Sequence, residues 1–89
     1  MSIPKVSIRQ LKAARALVGW SQEELASAAE VSLPTVKRLE AANGILGGRA
    51  TTAQKIRAAL EKAGIEFIDE NGGGPGVRLQ KQPGSRQSK

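Results

Sequence analysis

Nucleophilic or acid-base catalysis needs an activated group with a partner beside it, and this chain holds few of the parts. His and Cys are both absent from its 89 residues. That removes thiol nucleophiles, disulfide staples, zinc knuckles and the usual general base together. What remains is Ser, Thr, Lys and scattered carboxylates, with no activating base in view for any hydroxyl. No enzymatic activity, metal or cofactor is therefore expected. The run from Gly72 to Gly76 has the composition of a phosphate cradle, but a dinucleotide fingerprint requires a helix after its glycines. Here β-prone residues flank it on both sides, so it reads as a turn. The hydroxyls have another use. Ser7, Ser21 and Thr51 each precede a Gln or Glu by three residues, namely Gln10, Glu24 and Gln54. This is the spacing at which a hydroxyl and a side-chain carbonyl reciprocally satisfy the first free amides of a helix.

Those caps place the elements. A first helix over about residues 7–18 carries Ile8, Leu11, Ala14, Leu17 and Val18 at helical spacing and stops at Gly19, where a left-handed turn is unstrained. A second starts at Ser21 and runs to about Ala29, its inner stripe made of Leu25, Ala26 and Ala29. Ser32 caps a third, over about residues 33–41, with Pro34 in the first turn and Val36 and Leu39 inward. Three glycines and Asn43 make residues 42–50 a loop. Thr51 caps a fourth helix bearing Ile56, Ala59, Leu60 and Ala63 and ended by Gly64. Residues 65–68 and 77–79 are β-prone around the glycine-rich turn and predict a hairpin. The expected fold is mainly α: a four-helix domain over 1–64, a short C-terminal hairpin over 65–80, and a disordered basic tail over 81–89.

The net charge is +6, which favours a polyanionic partner. Its distribution tempers that reading, since residues 1–70 hold ten Lys or Arg against all eight acids, and the remaining four cations lie beyond. Pattern has to carry the argument. No apolar run approaches the ~20 residues that span a bilayer and none resembles a signal peptide, so no membrane partner is expected and the cytoplasm is the expected location. A domain this small has a modest core, and a second copy is one source of extra stability.

Two short helices joined by a three- or four-residue turn let the second enter a DNA major groove while the first crosses the backbone. Ser21-Gln22-Glu23-Glu24-Leu25-Ala26, followed by Val31-Ser32-Leu33-Pro34-Thr35-Val36-Lys37-Arg38-Leu39-Glu40, resembles the helix-turn-helix of lambdoid phage repressors and Cro, the XRE family of transcriptional regulators. The likeness is clearest over residues 9–40 and extends through the fourth helix. It implies a lambda-repressor-like domain that binds double-stranded DNA in a sequence-specific manner.

Carried over position by position, the resemblance implies that Gln22 donates to a phosphate, beside Ser21 at a helix N-terminus whose free amides already favour an anion. It places Leu33, Pro34, Thr35 and Arg38 among the base readers, after the capping Ser32 and with Lys37 directed to phosphate. A forked guanidinium such as Arg38 can pair with guanine O6 and N7, and Leu33 and Pro34 suit thymine methyls or groove shape. Arg49 matches a basic residue that touches phosphate. Arg15 and Glu40 match a structural ion pair between the first helix and the end of the third.

There are departures from the family pattern. Glu30 stands where the family usually has Gly in the turn, the loop over 42–50 is long, and a hairpin replaces the usual fifth helix. The repressors' dimer interface is therefore not transferred. A two-stranded ribbon cannot bury both faces alone, so either the fourth helix or another chain covers Phe67 or Ile68. A homodimer through residues 65–80 is expected on this ground, with recognition helices reaching half-sites ~34 Å apart. The alternative is an antitoxin-like module on the same fold, whose hairpin and tail bind a protein partner.

Overall fold

In the computed structural model the residues described are 6–46, 50–69 and 72–80. Arg49 and the expected tail over 81–89 lie outside them. The elements are α1 (Ile8–Val18), α2 (Gln22–Ala29), α3 (Leu33–Ala41), α4 (Ala50–Lys62), β1 (Ile65–Ile68) and β2 (Gly76–Leu79).

Local chemistry accounts for the helix starts. Ser7 Oγ accepts the Gln10 N–H at 3.0 Å while Gln10 Oε1 accepts the Ser7 N–H at 2.8 Å. Ser21 and Glu24 repeat the exchange at 3.0 and 2.8 Å. Ser32 Oγ accepts from Thr35 N–H, with Pro34 in the first turn of α3, where a missing N–H leaves no bond unmade. Gly19 closes α1 in the left-handed region, at φ +74°. The fourth start differs from expectation. α4 begins at Ala50, so Thr51 is a helical residue and not a cap.

The core is one cluster. Leu11 and Ala14 of α1, Leu25, Ala26 and Ala29 of α2, Val36 and Leu39 of α3, Ile56 and Leu60 of α4, and Ile65 of β1 are all buried together. The alanines on α2 let it pack against both α3 and α4. Burying a Leu or Ile side chain contributes about 1.5–3 kcal/mol relative to leaving it in water, so Leu11, Leu25, Ile56 and Leu60 dominate the core energetics. Leu17 departs from its expected place on the inner stripe of α1: it is 46% exposed. The apolar spacing of α1 is wider than the contact its neighbours make.

β1 and β2 pair antiparallel, with Ile65 opposite Leu79, Glu66 opposite Arg78, Phe67 opposite Val77 and Ile68 opposite Gly76. The ribbon's inner face is covered within the chain. β2 packs on α1 and β1 on α4, with Phe67 and Val77 seated against the core. The Arg57 guanidinium of α4 lies 5.5 Å from the Phe67 ring centre, within cation–π range. Gln10, itself buried, fixes the turn end: its side-chain amide donates to the Ile68 carbonyl at 3.2 Å and the Gly76 carbonyl at 2.9 Å. The loop after α3 is also anchored. Ser7 and Ile45 form an isolated β-bridge, with Ile8 N–H donating to Gly44 O and Leu46 N–H to Val6 O at 2.8 and 2.7 Å.

Candidate nucleic-acid interface

The turn between α2 and α3 sets the angle of α3. Glu30 takes up the left-handed backbone that its place requires, at φ +59° and ψ +44°. Val31 N–H donates to Ala26 O and Glu30 N–H to Ser27 O, which satisfies the last carbonyls of α2. A non-Gly residue held there costs about 1 kcal/mol. Ser32 then starts α3 after a three-residue connection, Glu30 to Ser32.

A hydrogen-bonded cluster fixes the two helices to α1. Arg15 meets Glu40 through two bonds, Nε to Oε2 at 2.8 Å and Nη2 to Oε1 at 2.9 Å, and its Nη1 donates to the Trp20 carbonyl at 2.9 Å. Gln22 Nε2 donates to Glu40 Oε1 at 3.0 Å. Glu40 is only 4% exposed. A carboxylate so far from water is tolerable because three N–H groups converge on its oxygens, two of them from a guanidinium whose fork matches them. One acid thus ties α1, the start of α2 and the end of α3. The cost of this arrangement is that Gln22 spends one amide hydrogen inside the protein.

On α3, Pro34, Lys37 and Arg38 are exposed while Val36, Leu39 and Glu40 are buried. Pro34 and Arg38, four residues apart, lie one above the other on the outer face. Neither Lys37 nor Arg38 makes an ion pair among the described residues. Leu33 and Thr35 are half-buried. The Thr35 hydroxyl lies 2.7 Å from Ser32 Oγ, so one of these two hydroxyls donates to the other. Ser21, Gln22, Glu23, Leu33 and Lys37 line an open recess of about 380 Å³ between the start of α2 and α3. Of the residues expected from the sequence, the recess brings together Ser21, Gln22, Leu33 and Lys37, while Ser32, Pro34, Thr35 and Arg38 are not among its lining and Arg49 lies outside the described residues.

Two features escape a reading of the sequence. Arg9 and Lys12, exposed on α1, line a second recess of about 450 Å³ with Asn43 and Gly44, beside the end of α3. In the sequence they are ordinary solvated charges, and only their three-residue spacing hints at a shared face. Glu23 is an exposed acid inside the first recess, and its place at the start of α2 gives no sign that α3 will face it.

The helix-turn-helix family model matches residues 11–66, from the first turn of α1 into β1. The chain belongs to the helix-turn-helix family. Its pattern is that of the XRE type, the lambdoid repressors and Cro, which are DNA-binding transcriptional regulators. No curated protein matches it. A helix-turn-helix protein needs no metal to read DNA, and among the described residues no cluster of acids is placed to hold one. No described helix is long and apolar enough to cross a membrane.

Proposed function

We propose that this helix-turn-helix protein is a small regulator that recognises a specific double-stranded DNA sequence, with α3 in the major groove. The observation that carries the reading is the outer face of α3, where Arg38 stands exposed, without an ion-pair partner among the described residues, one turn from Pro34. Arg38 pairs with a guanine edge. Pro34, Leu33 and the Thr35 methyl contact thymine methyls or the groove wall, since the Thr35 hydroxyl is already hydrogen-bonded to Ser32. Lys37 takes a phosphate. The remaining Gln22 amide hydrogen and the start of α2 by Ser21 hold a second phosphate and fix the register. Arg49, and Arg9 with Lys12, extend the backbone contacts past the end of α3. A homodimer through residues 65–80 presents two such helices to a symmetric site.

Selection of bound sequences from random duplex DNA at physiological salt tests this. The expected product is a discrete motif containing a guanine whose identity becomes unconstrained in Arg38→Ala, with about 1–3 kcal/mol of discrimination lost at that base pair. A motif that is unchanged in the variant, or no motif at all, overturns the reading.

A further inference from the structure

The geometry points to the outer edge of β2 as the place where a second copy of the chain adds its own β2, antiparallel, to make one four-stranded sheet across the dimer. This deepens the homodimer in the reading above.

The bonding phase of the ribbon says which backbone groups are free. Gln80 N–H donates to Gly64 O at 2.6 Å, and Gln10 reaches the Ile68 and Gly76 carbonyls together. Both facts fix Glu66 with Arg78 and Ile68 with Gly76 as the pairs that bond each other, because bonded and non-bonded pairs alternate along an antiparallel ladder. The N–H and C=O groups of Val77 and Leu79 therefore point away from β1. They have no partner among the described residues. The matching groups on the other edge belong to Ile65 and Phe67, but Ile65 is 2% exposed and lies against α4, so that edge is closed. β2 is open: Arg78, Leu79 and Gln80 are exposed, and Leu79 is 49% exposed although its side chain shares the inner face with Ile65.

An exposed edge of this kind is a template for another strand, and this one is complementary to itself in one register. With Arg78 on the twofold axis, Val77 of each copy lies opposite Leu79 of the other, and both exchange their N–H and C=O bonds. A shift by two residues toward the turn sets Leu79 against Pro75, which has no N–H to give. The opposite shift sets Val77 against Lys81, past the end of β2. A shift by one faces free groups with bonded ones. The charges weigh against the central register, and pairing within each copy reduces that cost. Two Arg78 side chains meet on the outer face, and each is already held by its own Glu66 at 2.7 Å, giving an acid–base–base–acid row across the sheet. The partly exposed Leu79 then gains an apolar neighbour in Val77 of the second copy.

Leu79→Pro and Leu79→Ala separate this from the alternatives. Proline at 79 removes an N–H that the β1–β2 ladder does not use, so the monomer fold, checked by circular dichroism, stays intact. The wild-type chain is expected to sediment as a dimer at micromolar concentration, Leu79→Ala as a dimer weakened by no more than about tenfold, and Leu79→Pro as a monomer. A monomeric wild type, or a dimeric Leu79→Pro, overturns the pairing. Loss of the dimer in both variants also overturns it, since the contact would then lie in the Leu79 side chain and not in the main chain. Monomeric Leu79→Pro is expected to keep the wild-type preference for a single half-site. Loss of that preference in wild type and variant alike would refute the DNA-reading assignment without touching the strand pairing.

Discussion

Glu40 and Glu30 show how single residues hold the reading helix. Removing one side of a buried pair leaves the other without compensation, which typically costs 3–5 kcal/mol. Arg15 keeps 23% of its surface in water, so Glu40→Gln is expected at the low end, about 3 kcal/mol, by urea denaturation. Arg15→Met with Glu40→Leu should recover part of that loss, because no charge is then stranded. A double loss equal to the sum of the losses in Arg15→Met and Glu40→Leu alone would show that the pair is not a unit. Glu30 is the opposite case, a residue strained by its place. Glu30→Gly relieves the left-handed backbone, offset in part by the greater freedom of glycine in the unfolded chain, and should stabilise by about 0.5–1 kcal/mol. A destabilised variant would mean that the Glu30 side chain contributes more than its backbone loses. The family's usual glycine at this place was legible in the sequence as a departure. The tolerance of the turn follows from the Val31 and Glu30 amide bonds that close α2 around it.

The elements divide by whether their causes are local. The first three helices were readable because their caps are exchanges between residues three apart, and Ser7, Ser21 and Ser32 all perform them. Thr51 carried the same signal and is not a cap. A hydroxyl three residues before a Gln is also an acceptable helix interior, and α4 starts upstream of it. Leu17 misleads for a different reason, since periodicity locates an apolar stripe but not how much of its width a neighbour covers. The hairpin was readable as strands and turn. Its attachment was not, because Gln10 reaches residues 58 and 66 positions away. Across the ribbon, Arg78 hydrogen-bonds the Glu66 carboxyl and holds its pKa below the ordinary 4.5. With the folded value depressed, the contribution is complete above the ordinary value and disappears as pH falls through the folded one. The melting temperature of wild type should therefore fall more steeply below about pH 4.5 than that of Glu66→Gln. Parallel curves would mean that the exposed pair adds nothing to the ribbon.

At the scale of the molecule, charge and shape separate. Most of the excess positive charge lies beyond residue 70, so the net charge does not by itself mark out a binding face. Arg9 and Lys12 lie beside the end of α3 because residues 44–46 are stitched to Val6, Ser7 and Ile8, in addition to the Arg15–Glu40 tie. No local pattern encodes that closure, and it is why this flank was invisible in the sequence. If both cations meet phosphate, the double substitution Arg9→Ala with Lys12→Ala should reduce the slope of log affinity against log salt by about 2, with the selected motif unchanged. An unaltered slope removes α1 from the footprint.

The stitching also sets an order of events. α1 is made first, yet its cap segment bonds to residues 44 and 46 and its buried Gln10 to residues 68 and 76. Buried amides and carbonyls are stable only when paired, so the buried Gln10 side chain has its full set of partners only once residue 76 has been synthesised. A nascent chain that has released α2 and α3 but not β2 holds the reading helix on an unfinished support. A chain cut short before Gly76 lacks one of the two carbonyls that hold Gln10 of α1.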